Sequence, residues 1–282
     1  LSTAREKLDD VVEAWHVLIE HVPLPRGDLE YIHHFCGNSE NPADLEEKAP
    51  LRVTLYKTVS AFGQAFANIA DDLAAAGYNP TDIDRLKTEL ANAVRLRDMI
   101  RNAAGETLDL KPYEADMRFL IDSYIAAEPS KSITPFADLP LIDLIVKTGI
   151  ADAINERLAS LAGNENAIAE TIENNVRSTL IREHMNDPAF FERMSALLDE
   201  VIELRRSQAI DYQAYLQRIA ELASQVRAAD TAPGLPETMN TQGRRILYNN
   251  LNEDEALVLQ IDAALKTRTP ADFRGNLAKE NA

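Results

Sequence analysis

The chain has 282 residues, 45% hydrophobic and 27% charged, enough apolar material for two packed subdomains at the ordinary composition of a soluble protein. Its net charge of -17 argues against a broadly basic nucleic-acid binder, and the acid excess is even: residues 1–137 hold 14 Lys+Arg and 23 Asp+Glu, residues 138–282 hold 15 and 23. No apolar run reaches the roughly 18 residues of a bilayer span, and the single cysteine, Cys36, excludes an internal disulfide and fits a reducing cytoplasm.

Ten glycines and few β-branched clusters leave little room for sheets, and helical spacing dominates. The first helix is expected over about 3–20, stopping before Pro23-Leu24-Pro25. A short helix follows over 29–35, ended by Gly37-Asn38. Pro42 opens a long helical zone, bent near Pro50, with Leu51, Leu55, Val59, Phe62, Phe66, Ile69 and Leu73 on one face and Gly77 as its C-cap. Asn79-Pro80-Thr81 starts a helix to about 104, ended by Gly105, and another is expected over 112–127. The stretch Glu128–Pro140, with three prolines, interrupts the periodicity. It sets two helical parts, 1–130 and 138–282, joined by a linker at 131–137.

Beyond the linker, short helices are expected over 141–147 and 150–161, then a Gly163-Asn164 turn. The run from Ala169 onward breaks once, at Asn186-Asp187-Pro188, where Asp187 suits the N-cap and Pro188 the first helical position. Its second half is expected to continue as one very long helix to about 229, followed by the loop TAPGLP and two helices near 241–251 and 253–266. The class is all-α, a two-part helical bundle with long antiparallel helices.

Chemistry-bearing patterns are few. Gly163-Asn164 precedes a helix, but no lysine follows, so the phosphate-cradling loop of a nucleotide hydrolase is missing. Asp44, Glu46, Glu47 and Lys48 carry the residue types of a metal nuclease without a strand to position them, and a solvated helix explains them better. His16, His21, His33, His34 and Cys36 lack the paired spacing of a zinc site. A half-buried aromatic patch with Trp15, Tyr31 and Phe35 accounts for them. Cys36 has no preorganised oxyanion turn beside it.

The arginines are the polar groups that stand out. Arg177, Arg182, Arg205, Arg206, Arg244 and Arg245 are candidates for an interface or for phosphate contacts, since guanidinium pairs bidentately with both phosphate and carboxylate. The competing reading is a set of salt bridges to Glu170, Glu173, Glu192, Glu203 and Glu221, many at helical spacing. No catalytic or metal-ligating residue emerges.

Several segments in order resemble one family. They are YIHHFCG (31–37), LYKTVSAFGQAFANI (55–69), AAGY (75–78) and LDLKPYEADMRFLIDSYIAAEPSKSITPFADLPLIDLI (108–145). AETIENNVR (169–177), DPAFFERMSALLDEVIELRR (187–206), RRILYNNL (244–251) and DFRGNLAKEN (272–281) follow. Their succession resembles the C-terminal helical region of the motor (R) subunit of type I restriction–modification enzymes. That resemblance implies a parent protein, a site-specific deoxyribonuclease using ATP and Mg, whose nuclease and helicase motifs have no counterpart in this chain. The fragment is then expected to be non-catalytic, to hold no cofactor of its own and to be cytoplasmic. Its implied partners are the modification and specificity subunits of the methyltransferase core and the helicase lobes of its own chain, with the first part packing on those lobes. The alternative is a module that contacts duplex DNA through the arginines of the second half. The start at Leu1 rather than Met fits a piece of a longer polypeptide.

Overall fold

The computed structural model describes residues 1–106, 136, 139–228 and 234–268. Among them are twelve α-helices and no strand: α1 (Ser2–Glu20), α2 (Asp28–Cys36), α3 (Asp44–Glu47), α4 (Ala49–Ala67), α5 (Pro80–Ala104), α6 (Leu141–Thr148), α7 (Ile150–Arg157), α8 (Glu165–Glu183), α9 (Pro188–Arg206), α10 (Tyr212–Arg227), α11 (Gln242–Asn250) and α12 (Glu255–Arg268). The all-α class expected from periodicity is what the chain adopts. The helix expected over 112–127, the TAPGLP residues 231–233 and most of the 131–137 linker lie outside the described residues.

Helix α8 is the axis of the molecule. It packs against α2 and α5 on one side and α6, α9 and α10 on the other. Thirteen of its nineteen residues are buried, from Ala167 to Leu180, including Glu170, Glu173, Asn174, Asn175 and Arg177. Such a helix has no solvated face, so its polar residues must find partners inside the protein. Around it, α4 buries Leu55, Val59, Phe62 and Phe66 against α1 and α5, while α9 lays Phe190, Met194, Leu198, Val201 and Ile202 along α8 and α10.

The expected division into two parts does not divide the core. One cluster of buried apolar residues runs from Leu8 to Val226, and α8, which follows the linker in sequence, contacts α2 and α5, which precede it. Periodicity along a chain reports which residues are buried, not which other segment buries them.

The helix ends expected around α5 and α9 occur as predicted. Asn79 accepts the Asp82 N–H at 2.9 Å, and Gly105 closes α5 at φ 65°. The Asp187 carboxylate accepts the Phe190 N–H at 3.3 Å, with Pro188 in the first turn. Two other expectations need correction. Pro50 does not bend a long helix: the zone breaks at Lys48, and Pro50 stands in the first turn of α4, where its missing N–H costs nothing. The same zone ends at Asn68 rather than at Gly77. Nor does the run after Pro188 reach residue 229. It ends at Arg206, where Gln208 takes φ 56° and the Ala209 N–H returns to the Leu204 carbonyl at 3.0 Å; Asp211 then caps α10. A glutamine in the left-handed region closes the helix in a role usually taken by glycine, so the stop carries no sequence signal.

Candidate functional site: a buried charge cluster

Three helices bring the cluster together. Gly37, at φ 79°, ends α2; a side chain there would meet Asp44 Cβ at 2.1 Å, so only glycine permits this turn. The chain then presents Asn38, Ser39 and Glu40 toward α8 and α9. Asn38 holds the loop by accepting the Glu40 N–H at 3.0 Å, and its own N–H donates to Asp44 Oδ2 at 3.1 Å. Helix α8 contributes Glu170, Glu173 and Arg177, and the last turns of α9 contribute Asp199, Arg205 and Arg206.

Arg205 grips Glu173 with two bonds, Nε to Oε1 at 2.7 Å and Nη2 to Oε2 at 3.0 Å. The Ser39 hydroxyl donates to Glu173 Oε2 at 2.5 Å. The Arg205 guanidinium also stands 5.6 Å over the buried Tyr215 ring, which adds a cation–π contact. Arg206 bonds Glu170 and Asn38 and pairs with Glu40 Oε1 at 3.1 Å. Glu170 also accepts the Ser39 N–H at 3.2 Å and faces His33 Nε2 at 3.1 Å. Arg177 donates to Asp199 Oδ1 at 2.7 Å and to the Ser39 carbonyl at 3.2 Å.

Burial alone would push the Glu170 carboxyl up. His33, Arg206 and the Ser39 N–H outweigh it and hold the group below its ordinary value. Arg205 behaves in the mirrored way: burial disfavours its charge, and Glu173 more than restores it. Each carboxylate of the cluster thus faces a guanidinium. Three guanidinium groups meet four carboxylates, those of Glu40, Glu170, Glu173 and Asp199.

The structure therefore joins Arg177, Arg205 and Arg206 at one place and puts the other three candidates elsewhere. Arg182 is exposed on the rim of a cavity of about 480 Å³ lined also by Val53, Tyr56, Glu106 and Ile181, and its guanidinium reaches the Thr179 hydroxyl at 3.5 Å. Arg244, on α11, binds Asp262 of α12 through Nη2 at 2.7 Å and Nε at 2.9 Å. Arg245 reaches the Met239 carbonyl at 3.4 Å. Of the expected carboxylate partners, Glu170 and Glu173 serve, whereas Glu192 pairs with His184 at 3.5 Å and Glu221 accepts from Gln217 at 3.2 Å.

The histidines do not converge. His16 faces Glu89 at 2.8 Å, His21 bonds the Val17 carbonyl at 2.7 Å, and His33 belongs to the cluster. Among the described residues no group of three His, Cys, Asp or Glu side chains is placed to hold a metal ion. Burial pushes the Cys36 thiol up to about 12, so it is not a nucleophile at neutral pH.

Sequence reasoning missed Ser39, Asn38 and His33 as members of the cluster. They lie more than 130 residues from Glu170, and no periodicity links them. It also missed a second knot, in which Arg52 Nε and the Tyr56 hydroxyl both bind Glu106, at 2.8 and 2.6 Å. Three of the family-like segments, YIHHFCG, AETIENNVR and DPAFFERMSALLDEVIELRR, meet at the cluster. No protein-family model, curated protein or solved structure matches the chain. No described helix is long and apolar enough to cross a membrane.

Proposed function

We propose that the chain is a non-catalytic helical assembly domain from the C-terminal part of a type I restriction R subunit, docking the motor onto the modification and specificity subunits. One observation supports this reading most. Segments that resemble the family in sequence order meet in space, and the arginines and carboxylates they bring are bound to one another. Such a cluster fixes the mutual angle of α2, α8 and α9, which is the work of a rigid scaffold. A rigid helical body of this kind presents its outer surface to partners, as assembly domains do. ATP, Mg and cleavage chemistry belong, in this reading, to the parent protein, and the chain works in the cytoplasm.

The arginines argue for the same role. Arg177, Arg205 and Arg206 are bound to carboxylates and largely buried, so they are not a phosphate-binding patch. The DNA-contacting alternative keeps the exposed Arg182 but loses the patch that motivated it. The test is a pull-down of the chain with the methyltransferase core of its own restriction system. Binding at micromolar concentration is expected, and its absence there contradicts the proposal. Duplex DNA should bind no more weakly to Arg205→Ala than to the parent chain once both are confirmed folded.

A further inference from the structure

Helix α12 is apolar along much of its length, with Ala256, Leu257, Val258, Leu259, Ile261, Ala263, Ala264 and Leu265, yet Val258 is its only buried residue. Its inner side is occupied: Val258 is fully buried, Asp262 holds Arg244, and Glu255 binds Thr238. Along the flank of that packed side, Leu257 and Leu265 are 38% and 55% exposed, with the half-buried Ile261 between them. At 3.6 residues per turn, Asp254, Leu257, Ile261, Leu265 and Arg268 form one stripe.

That stripe is symmetric about Ile261. Leu257 lies four residues before it and Leu265 four after; Asp254 lies seven before and Arg268 seven after. Asp254 and Arg268 are both exposed, and neither has an ion-pair partner among the described residues. An apolar stripe with an acid at one end and a base at the other is complementary to itself turned end for end. Placed antiparallel on a two-fold axis through Ile261, it sets Leu257 against Leu265 of a second copy and Asp254 against Arg268 of that copy. This is the isologous geometry of a two-fold dimer.

We infer that α12 is a self-association face and that its occupant is a second copy of this chain. The inference does not rest on the proposed function. A 14-residue helix is only about 21 Å long at ~1.5 Å per residue, so the contact is smaller than a standard interface and the dimer is weak and reversible.

Sedimentation of the full 282-residue chain from about 5 to about 500 µM reads this directly, with a concentration-dependent monomer–dimer equilibrium expected across that range. Leu265→Lys should weaken dimerisation at least about tenfold, since it sets a cation against Leu257 of the second copy. Arg268→Glu should weaken it comparably by opposing two carboxylates. Adding Asp254→Asn to that variant removes the repulsion and should recover part of the loss, while keeping the side-chain oxygen that caps the Leu257 N–H at 3.0 Å. All these side chains are exposed, and unchanged far-ultraviolet circular dichroism would confirm the fold of each variant. A chain that stays monomeric throughout overturns the inference, with residues 269–282 or a different protein then covering the stripe. A dimer indifferent to Leu265→Lys and Arg268→Glu overturns it equally.

Discussion

Arg205 and Arg244 make related bonds in two different settings, Arg205 to both oxygens of Glu173 and Arg244 to one oxygen of Asp262. Each is a guanidinium held by a carboxylate of a neighbouring helix through Nε and Nη2. Glu173, the partner of Arg205, is completely buried at the axis of the core. Asp262, the partner of Arg244, sits in the α11–α12 hairpin, whose buried Met239 and Val258 stand apart from the main apolar cluster. In the first place neither partner can be removed singly without cost, because the one left behind is a charge out of water. In the second, water can replace the missing partner. Geometry alone therefore does not rank these bonds; their surroundings do.

The largest effect is expected at Glu173. Glu173→Ala leaves Arg205 largely buried with only the more distant Glu170 carboxylate at 3.7 Å, and removes the acceptor of the Ser39 hydroxyl. A loss of about 3–5 kcal/mol is expected in urea unfolding. The double change Glu173→Leu with Arg205→Met removes both charges and should recover most of that loss, because the penalty lies in the unpaired charge rather than in the missing bond. A Glu173→Ala variant within about 1 kcal/mol of the parent would place the pair with surface salt bridges and erase the contrast.

Asp187 links the two regions, and its effect should be intermediate. Its carboxylate caps α9 and also accepts the side-chain amides of Asn249 at 2.6 Å and Asn250 at 2.8 Å, while Asn250 accepts the Ala189 N–H at 3.1 Å. Asp187→Ala loses the cap and both amide bonds, about 2 kcal/mol together. Because the amides come from α11, limited proteolysis should show the hairpin cut first in this variant. Equal cutting throughout the chain would show that the hairpin is held by other means.

Acid should weaken the core before it weakens the hairpin. The folded Glu170 carboxyl titrates below its ordinary value of about 4.3, so its contribution is present above that value and is lost as pH falls through the folded one. His34 is held below 6.5 chiefly by burial, aided by Lys48 and His21, so the folded protein disfavours its protonation. Its contribution is likewise present above 6.5 and is lost as pH falls. Thermal midpoints should decline gently below about pH 6.5 and more steeply below about pH 4.3. Glu170→Gln should flatten the lower segment and His34→Gln the upper one. An unchanged profile in either variant would remove that group from the account.

The fold was readable where a local rule governs. Asn79-Pro80 and Asp187-Pro188 start helices because a side-chain oxygen and a prefixed φ act within one turn. The glutamine stop at 208 was not readable, because tertiary packing imposes a conformation that the residue itself does not favour. The cluster was half readable. Arginine and glutamate in α8 and α9 announced salt bridges, but helical spacing suggested bonds along one helix. The bonds that formed run between helices, since the middle of α8 is covered on every side and Glu170 and Glu173 cannot reach solvent. Ser39 and His33 entered only through the chain's path in space, which Gly37 sets with no hint of its destination.

The smallest effect should come from Arg244. Arg244→Ala removes its two bonds to Asp262 and the one to the Thr238 carbonyl, leaving Asp262 with Lys266 at 2.7 Å. Arg244 and Lys266 hold the Asp262 carboxyl below its ordinary value, and with Lys266 still present that carboxylate stays ionised and solvated. The global unfolding midpoint should therefore not move measurably. What should change is local: amide hydrogens of α12 should exchange faster, while those of α8 keep their protection, because opening the hairpin exposes none of the main core. Faster exchange in α8 as well would mean that the hairpin and the core unfold as one unit, and that the Asn249–Asn250 clip on Asp187 couples them more tightly than their separate packing implies.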